Sequence, residues 1–396
     1  MKTLITCLML LALLANQILN AQTWTQQTSG TTHNLGSVSF IDSNTGWISV
    51  GDTILHTTNG GNDWIPQLTN LELGSISFIN STIGYSVGAN GFIAKTTDGG
   101  SNWNLQSSGT TEHLSAAYFI DTNTGWIVGW NGVILNTTDG GNNWSIQSSG
   151  TSDKLFSVHF VNATTGWTVG DYGVIVNTTN GGNTWNLQLQ PTGVYALLSV
   201  FFVSTSTGWA VSVGGKIINT TDGGSNWNVQ SSGYSWLNCV YFVNASIGWV
   251  VGNGGTILKT SDSGNSWNAQ NSGTTVALKS VCFPDINTGY AVGHNGTILK
   301  YEDFTGINGK LFPLNNKIAV YPNPFSTSAT INISEELTIT DAEIKIYDLF
   351  GKQVINIVNI KNQEIRIDRK ELSNGIYFYK IINENETIGT GKLIVN

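Results

Sequence analysis

The eight residues TTDGGSNW stand at 96–103 and return unchanged at 220–227. Near-copies read TTNGGNDW at 57–64, TTDGGNNW at 137–144, TTNGGNTW at 178–185 and TSDSGNSW at 260–267. The third position holds Asn59, Asp98, Asp139, Asn180, Asp222 or Asp262, and the eighth holds Trp64, Trp103, Trp144, Trp185, Trp227 or Trp267. A short polar side chain before glycine marks a tight turn, because its oxygen accepts from nearby backbone N–H groups and glycine takes positive φ freely. The carboxylate is expected to reach amides about two residues on, and the closing Trp to pack on the hairpin. Asn standing in for Asp points to turn-making rather than charge chemistry.

The closing Trp, counted with Trp24, recurs at 24, 64, 103, 144, 185, 227 and 267. A second marker, Gly followed by an aromatic, recurs at Trp47, Tyr85, Trp126, Trp167, Trp209, Trp249 and Tyr290. A period near 40 with four short strand-like segments is the pattern of a propeller blade. In one repeat the strands are expected at 114–120, 125–129, 133–137 and 144–149, with Trp130-Asn131-Gly132 turning between the second and third. Seven markers predict seven blades. Residues 24–30 precede any inner strand and read as a last strand, whereas the repeat at 278–304 lacks one, its phrase having decayed to YEDF at 301–304. The N-terminal strand is therefore expected to complete the seventh blade and close the ring, which removes an exposed sheet edge.

The remaining segments read differently. Residues 1–21 form a signal peptide, with Lys2, an apolar run at 4–14 and a small-residue end at Asn20-Ala21. No stretch of the mature chain is long and apolar enough to span a membrane as a helix. A linker with Gly306, Gly309 and Pro313 occupies 305–317. Residues 318–396 alternate in strand fashion around a turn at 348–352 and predict a small β-sandwich, so the whole chain is all-β. Cys239 and Cys282 fall in equivalent strands of neighbouring repeats, on one face of their respective sheets, which predicts two buried thiols rather than a disulfide.

The phrases resemble Asp-boxes, also called BNR repeats, and the propeller, placed at 22–304, resembles the seven-bladed photosystem II assembly and stability factors. Asp-boxes also occur in sialidases, xyloglucanases and sortilin-type receptors. The tail at 318–396 resembles the type A C-terminal sorting domain of the type IX secretion system of Bacteroidetes. The matching residues are YPNPF at 321–325, with Pro322, Asn323 and Pro324; LSNGIY at 372–377, with Gly375 and Tyr377; and GKLIV at 391–395, with Gly391, Lys392 and Val395. This resemblance implies export through the periplasm by the type IX secretion machinery to the outer surface or the medium.

Chemistry is constrained by what the propeller lacks. Its 22–304 stretch holds six Lys, no Arg and fifteen acidic residues, a balance of −9, which disfavours nucleic acid. A sialidase holds its substrate carboxylate with arginines, and Arg366 and Arg369 are both in the tail. Glycan cleavage needs two carboxylates facing one cleft, and nothing in the sequence pairs any. The five His, at 33, 56, 113, 159 and 294, show no metal-ligand spacing, so no metal or cofactor is expected. An assembly-factor-like protein chaperone is a further alternative, but the arginine-rich contact surface implied by that resemblance is missing. A monomeric, non-catalytic binding or adhesion module for a glycan or protein remains. Trp130 and Trp236 alone among the tryptophans have no repeat role, and they fall in loops of one rim, opposite the Asp-box turns. His113, Tyr172, Tyr195, Tyr234 and His294 fall in equivalent loops, where residues vary on a constant frame. The Asp-box side is expected to be the functionally quiet one.

Overall fold

The computed structural model describes residues 22–69, 71, 73–188, 190–303, 318–334, 337, 339–348, 352–369, 372–383 and 386–396. The expected signal peptide, the linker and most of the turn at 348–352 lie outside the described residues. The chain forms two units, divided after Thr305.

In the first unit the repeats fold into seven four-stranded antiparallel sheets. Blade 3 shows the plan: Leu114–Phe119, Gly125–Gly129, Val133–Thr137 and Ser145–Ser148, each strand pairing with the next. Blades 1, 2, 4, 5 and 6 follow it at 38–68, 75–106, 155–187, 197–231 and 237–269. Blade 7 takes Leu278–Cys282, Thr288–Gly293 and Ile298–Asp303 from the end of the propeller and Gln22–Gln27 from its start. The register runs from Gln22 opposite Asp303 to Gln27 opposite Ile298, with Trp24 opposite Tyr301. The N-terminal strand closes the ring, as the spare Trp24 predicts.

The two repeat markers meet between blades. Trp126 of blade 3 stacks on Phe160 of blade 4 at 3.5 Å, and Phe160 meets Trp185 of its own blade edge-on at 5.8 Å and 89°. The same three rings recur around the propeller, for example as Trp47, Phe78 and Trp103. At the closing blade Trp24 takes the place of the Asp-box Trp and meets Phe283 edge-on at 5.9 Å. The T-shaped contacts suit the ring quadrupoles, while the near-parallel pairs lie almost face to face. The glycine of the second marker makes room for them, since a Cβ on Gly166 would lie 2.5 Å from the Phe160 ring.

The Asp-box turn differs in detail from expectation. Asp98 Oδ1 accepts from the amide of Asn102, four residues on rather than two, at 2.8 Å. The Thr96 hydroxyl takes the nearer amides, of Asp98 at 3.3 Å and Gly100 at 2.9 Å. Gly99 and Gly100, at φ 74° and 93°, carry the chain round far enough to bring Asn102 back to the carboxylate. A Cβ on the second glycine would displace a neighbour: at Gly141 it would lie 2.4 Å from the side-chain oxygen of Gln106 in the preceding blade.

Cys239 and Cys282 are free, as expected; each residue keeps some exposure, but its thiol is buried, and that burial raises the pKa of both. Cys239 Sγ donates to the Val281 carbonyl at 3.8 Å.

The second unit is a β-sandwich. One sheet orders Ile318–Tyr321, Ser328–Ile333 and Glu364–Asp368; the other orders Gln353–Ile360, Ala342–Tyr347, Gly375–Asn383 and Glu386–Val395. Alternate residues such as Ile331, Ile344, Ile381 and Leu393 are buried together between them. The two ends of the tail meet: Asn323 donates to the Lys392 carbonyl at 2.7 Å and accepts from the Ile394 amide at 2.8 Å. The Tyr377 hydroxyl donates to the Ser373 carbonyl at 3.0 Å.

Candidate ligand-binding rim

One rim of the propeller is built from the turns between second and third strands and the connections between blades. A backbone ladder ties them together. The Trp130 amide donates to the His113 carbonyl at 2.8 Å and the Gly132 amide to the Asp153 carbonyl at 2.9 Å, so each turn is held by the connections on both sides. The same bonds recur where Asn253 donates to Trp236 and His294 to Ala277. With the backbone fixed in this way, side chains there are free to differ between blades.

They differ in an ordered way. Exposed aromatics cluster on neighbouring blades: Trp130 (39 % exposed), Tyr172 (76 %), Tyr195 (70 %), Tyr234 (40 %) and Trp236 (42 %). These lie on blade 3, on blade 4 and on the connections leading to blades 5 and 6. Tyr172 sits at φ 54°, a left-handed position filled by asparagine in the turns of blades 2, 3 and 7. The Tyr195 ring lies beside Gly214, whose Cβ would come within 3.0 Å of it.

Of the rim residues anticipated from sequence, the structure brings only His113 and Trp130 into contact, with centroids 5.0 Å apart. Lys154 Nζ stands 4.0 Å over the Trp130 ring, a cation–π pair the sequence did not announce. Trp130 is thus held between two of its own chain's side chains. Beside it Glu112 accepts from Asn131 at 2.9 Å, and Asp153 accepts from the Thr151 hydroxyl at 3.1 Å. His294 stands apart, on the blade 7 turn.

The opposite face holds a feature that sequence reasoning missed. A cavity of about 480 Å³ lies where the channel meets the turns between first and second strands of blades 4 to 6. Those turns share a face with the Asp-boxes, since Gly181 donates to the Thr164 carbonyl and Gly223 to that of Ser206. Around the channel the fourth residue after each leading Leu is Ser39, Ser77, Tyr118, His159, Phe201, Tyr241 and Cys282 in turn. Four of these touch in series, Tyr118 to His159 at 4.7 Å, His159 to Phe201 at 4.4 Å and Phe201 to Tyr241 at 4.9 Å. Burial drives the His159 pKa down to about 3 and raises that of Tyr118, so both are neutral. Aligning the repeats exposes this variable position. Among the described residues, no group of three His, Cys, Asp or Glu has a metal-holding arrangement, and no helix is long and apolar enough to cross a membrane.

The propeller matches the family described as photosynthesis system II assembly factor YCF48 at 16–105, 68–149, 105–193 and 228–302. The tail matches the secretion system C-terminal sorting domain at 319–396. Among solved structures, "YCF48 bound to D1 peptide" is similar at a TM-score of 0.61 and 22 % identity, over 72 % of this chain and 95 % of that one. YCF48 from Cyanidioschyzon merolae is similar at 0.60 and 21 %, over 70 % and 98 %. The WD40 propeller domain of Doa1 is similar at 0.59 and only 12 %, over 71 % and 96 %. At these identities the likeness is one of fold. No curated protein matches the chain. The chain belongs, through its propeller, to the family of photosynthesis system II assembly factor YCF48, and it carries a C-terminal sorting domain of the type IX secretion system.

Proposed function

We propose that the chain is exported by the type IX system and acts at the cell surface or beyond as a non-catalytic binding module, with its ligand on the rim of blades 3 to 6. The carrying observation is the group of exposed aromatics there, Trp130, Tyr172, Tyr195, Tyr234 and Trp236. Tyr and Trp present large, rigid, amphipathic surfaces that lose little conformational entropy on binding. The acids near Trp130 already serve turn hydrogen bonds, which favours binding over acid–base chemistry. Because Lys154 and His113 flank Trp130, the contact surface centres on Tyr172, Tyr195, Tyr234 and Trp236.

A fold relative, YCF48, is bound to a peptide, so extended peptides stand beside glycans as the ligand classes to test. The test is retention of the purified protein on a peptide array and on immobilised polysaccharides. A Tyr172→Ala, Trp236→Ala double variant should lose retention; full retention overturns the site. New reducing ends in an incubated polysaccharide overturn the non-catalytic assignment.

A further inference from the structure

The cavity on the Asp-box face has the makings of a site separate from the rim. It is lined by Tyr118, His159 and Phe201 at the channel, by Phe202 and Phe242 beside them, and by Ser204, Thr207 and Asn244 at its mouth. No charged residue lines it, and its volume is in the range of small-molecule pockets. The rings are tilted by 42–49° to one another, so they offer both faces and edges. On the far side of the channel the equivalent positions are Ser39, Ser77 and Cys282, which offer no ring. The aromatic wall is therefore a local feature of blades 3 to 6, not a requirement of the propeller.

The mouth supplies a directed polar group. Asn244 Oδ1 accepts from the amides of Ser246 and Ile247, both at 2.9 Å. Those bonds fix the side chain and use only its oxygen, and its Nδ2 makes no hydrogen bond among the described residues. Asn80 and Asn162 make the same bonds in blades 2 and 4, and aspartate makes them in blades 1, 3 and 7, as Asp42, Asp121 and Asp285. The turn thus needs the oxygen alone, and the amide nitrogen of Asn244 is surplus to it.

We propose that this cavity is a second ligand site, which takes a neutral aromatic ring bearing a hydroxyl. The ring packs among Tyr118, His159 and Phe201, and the hydroxyl oxygen accepts from Asn244 Nδ2. A charged ligand finds no counter-ion and leaves its charge unpaired.

The test is calorimetric titration of the intact chain with p-cresol. Saturable one-to-one binding is expected, with cyclohexanol and benzoate at least about tenfold weaker. Asn244→Asp preserves the turn bonds but replaces the donor with a carboxylate. It should leave the unfolding midpoint unchanged and weaken p-cresol binding about tenfold or more. Phe201→Ser, which installs the residue of blades 1 and 2, should abolish the binding. The rim variant Tyr172→Ala, Trp236→Ala should bind p-cresol like the parent, so this site and the rim fail or stand independently. Absence of saturable p-cresol binding, equal binding by Asn244→Asp, or loss of it in the rim variant overturns the proposal.

Discussion

The Tyr290 hydroxyl of blade 7 donates to the Gly60 carbonyl, in the Asp-box turn of blade 1, at 3.0 Å. It is the closing member of a series. Trp47, Trp126 and Trp167 each donate Nε1 to the first Asp-box glycine carbonyl of the next blade, Gly99, Gly181 and Gly223, at 2.9, 3.3 and 3.1 Å. Tyr85 does the same to Gly140 at 2.7 Å. Two junctions lack the bond. Trp209 faces a turn with Ser263 where the others have glycine, and Trp249 faces blade 7, whose phrase has decayed; both Nε1 atoms are buried without a partner among the described residues. The second repeat marker is thus the blade's attachment to its neighbour's turn.

Tyr290→Phe tests that attachment at the seam of the ring. The ring keeps its stack on Phe40 at 3.7 Å but loses bonds to the Gly60 and Ser43 carbonyls. The two carbonyls lose the single proton they share, Gly60 keeping Gln27 Nε2 at 3.4 Å, and urea unfolding followed by tryptophan fluorescence should show about 1 kcal/mol less stability. An unchanged midpoint would mean that the stack alone holds the junction.

Trp24→Ala should cost more. Trp24 is buried against Phe283 and Tyr301, and deleting a buried aromatic of this size costs about 3–5 kcal/mol. The closing strand then frays from Ile298–Asp303, so limited proteolysis should cut near the N-terminus before the propeller unfolds.

The Asp-boxes carry a matched pair at their third and seventh positions. Where the third is Asp, the seventh donates to it, as Asn102 does to Asp98 at 2.7 Å and Ser266 to Asp262 at 2.6 Å. Where the third is Asn, the seventh accepts: Asn59 donates to Asp63 and Asn180 to Thr184, both at 2.9 Å. Asn59→Asp sets two carboxylates against each other and should lower the thermal midpoint, and adding Asp63→Asn should restore it. A double variant no better than the single would refute the pairing.

Acid should loosen these turns. The Ser266 hydroxyl, then its amide, hold the Asp262 carboxyl down from the ordinary 3.8 to about 2, and Asn side chains and amides lower Asp98, Asp139 and Asp222 likewise. A pKa below its unfolded value gives stability that is complete above 3.8 and is lost as pH falls towards 2. Urea midpoints taken across that window should fall less steeply for Asp262→Asn than for the parent.

Removing 318–396 should leave the propeller in the periplasm, read by cell fractionation. Asn323→Ala, which breaks the link to Lys392 and Ile394, should reduce export in the same direction. Normal secretion of the truncated chain would separate export from the tail.

The repeat period, the number of blades and the closure by Trp24 were legible because each rests on local chemistry copied along the chain. The turn between Asp98 and Asn102 needs only residues within one phrase. The pairing of Trp126 with Gly181 and the ring sandwich of Trp126, Phe160 and Trp185 were not legible, since their partners are one repeat apart and no local pattern states which marker faces which. The rim residues were identifiable as variable loops, but the occupation of Trp130 by Lys154 and His113 was not.

The phrase at 96–103 by itself determined a hairpin, a repeat and a ring, because turn formation is decided over a few residues and propagates at fixed spacing. Only the tertiary structure decided that five of the six such turns anchor the preceding blade, that aromatics gather on one half of the ring, and that the face of these turns, expected to be quiet, opens onto a ring-lined cavity. Those outcomes depend on side chains about 40 residues apart meeting across blade boundaries, a distance over which sequence order carries no geometry until the ring has closed.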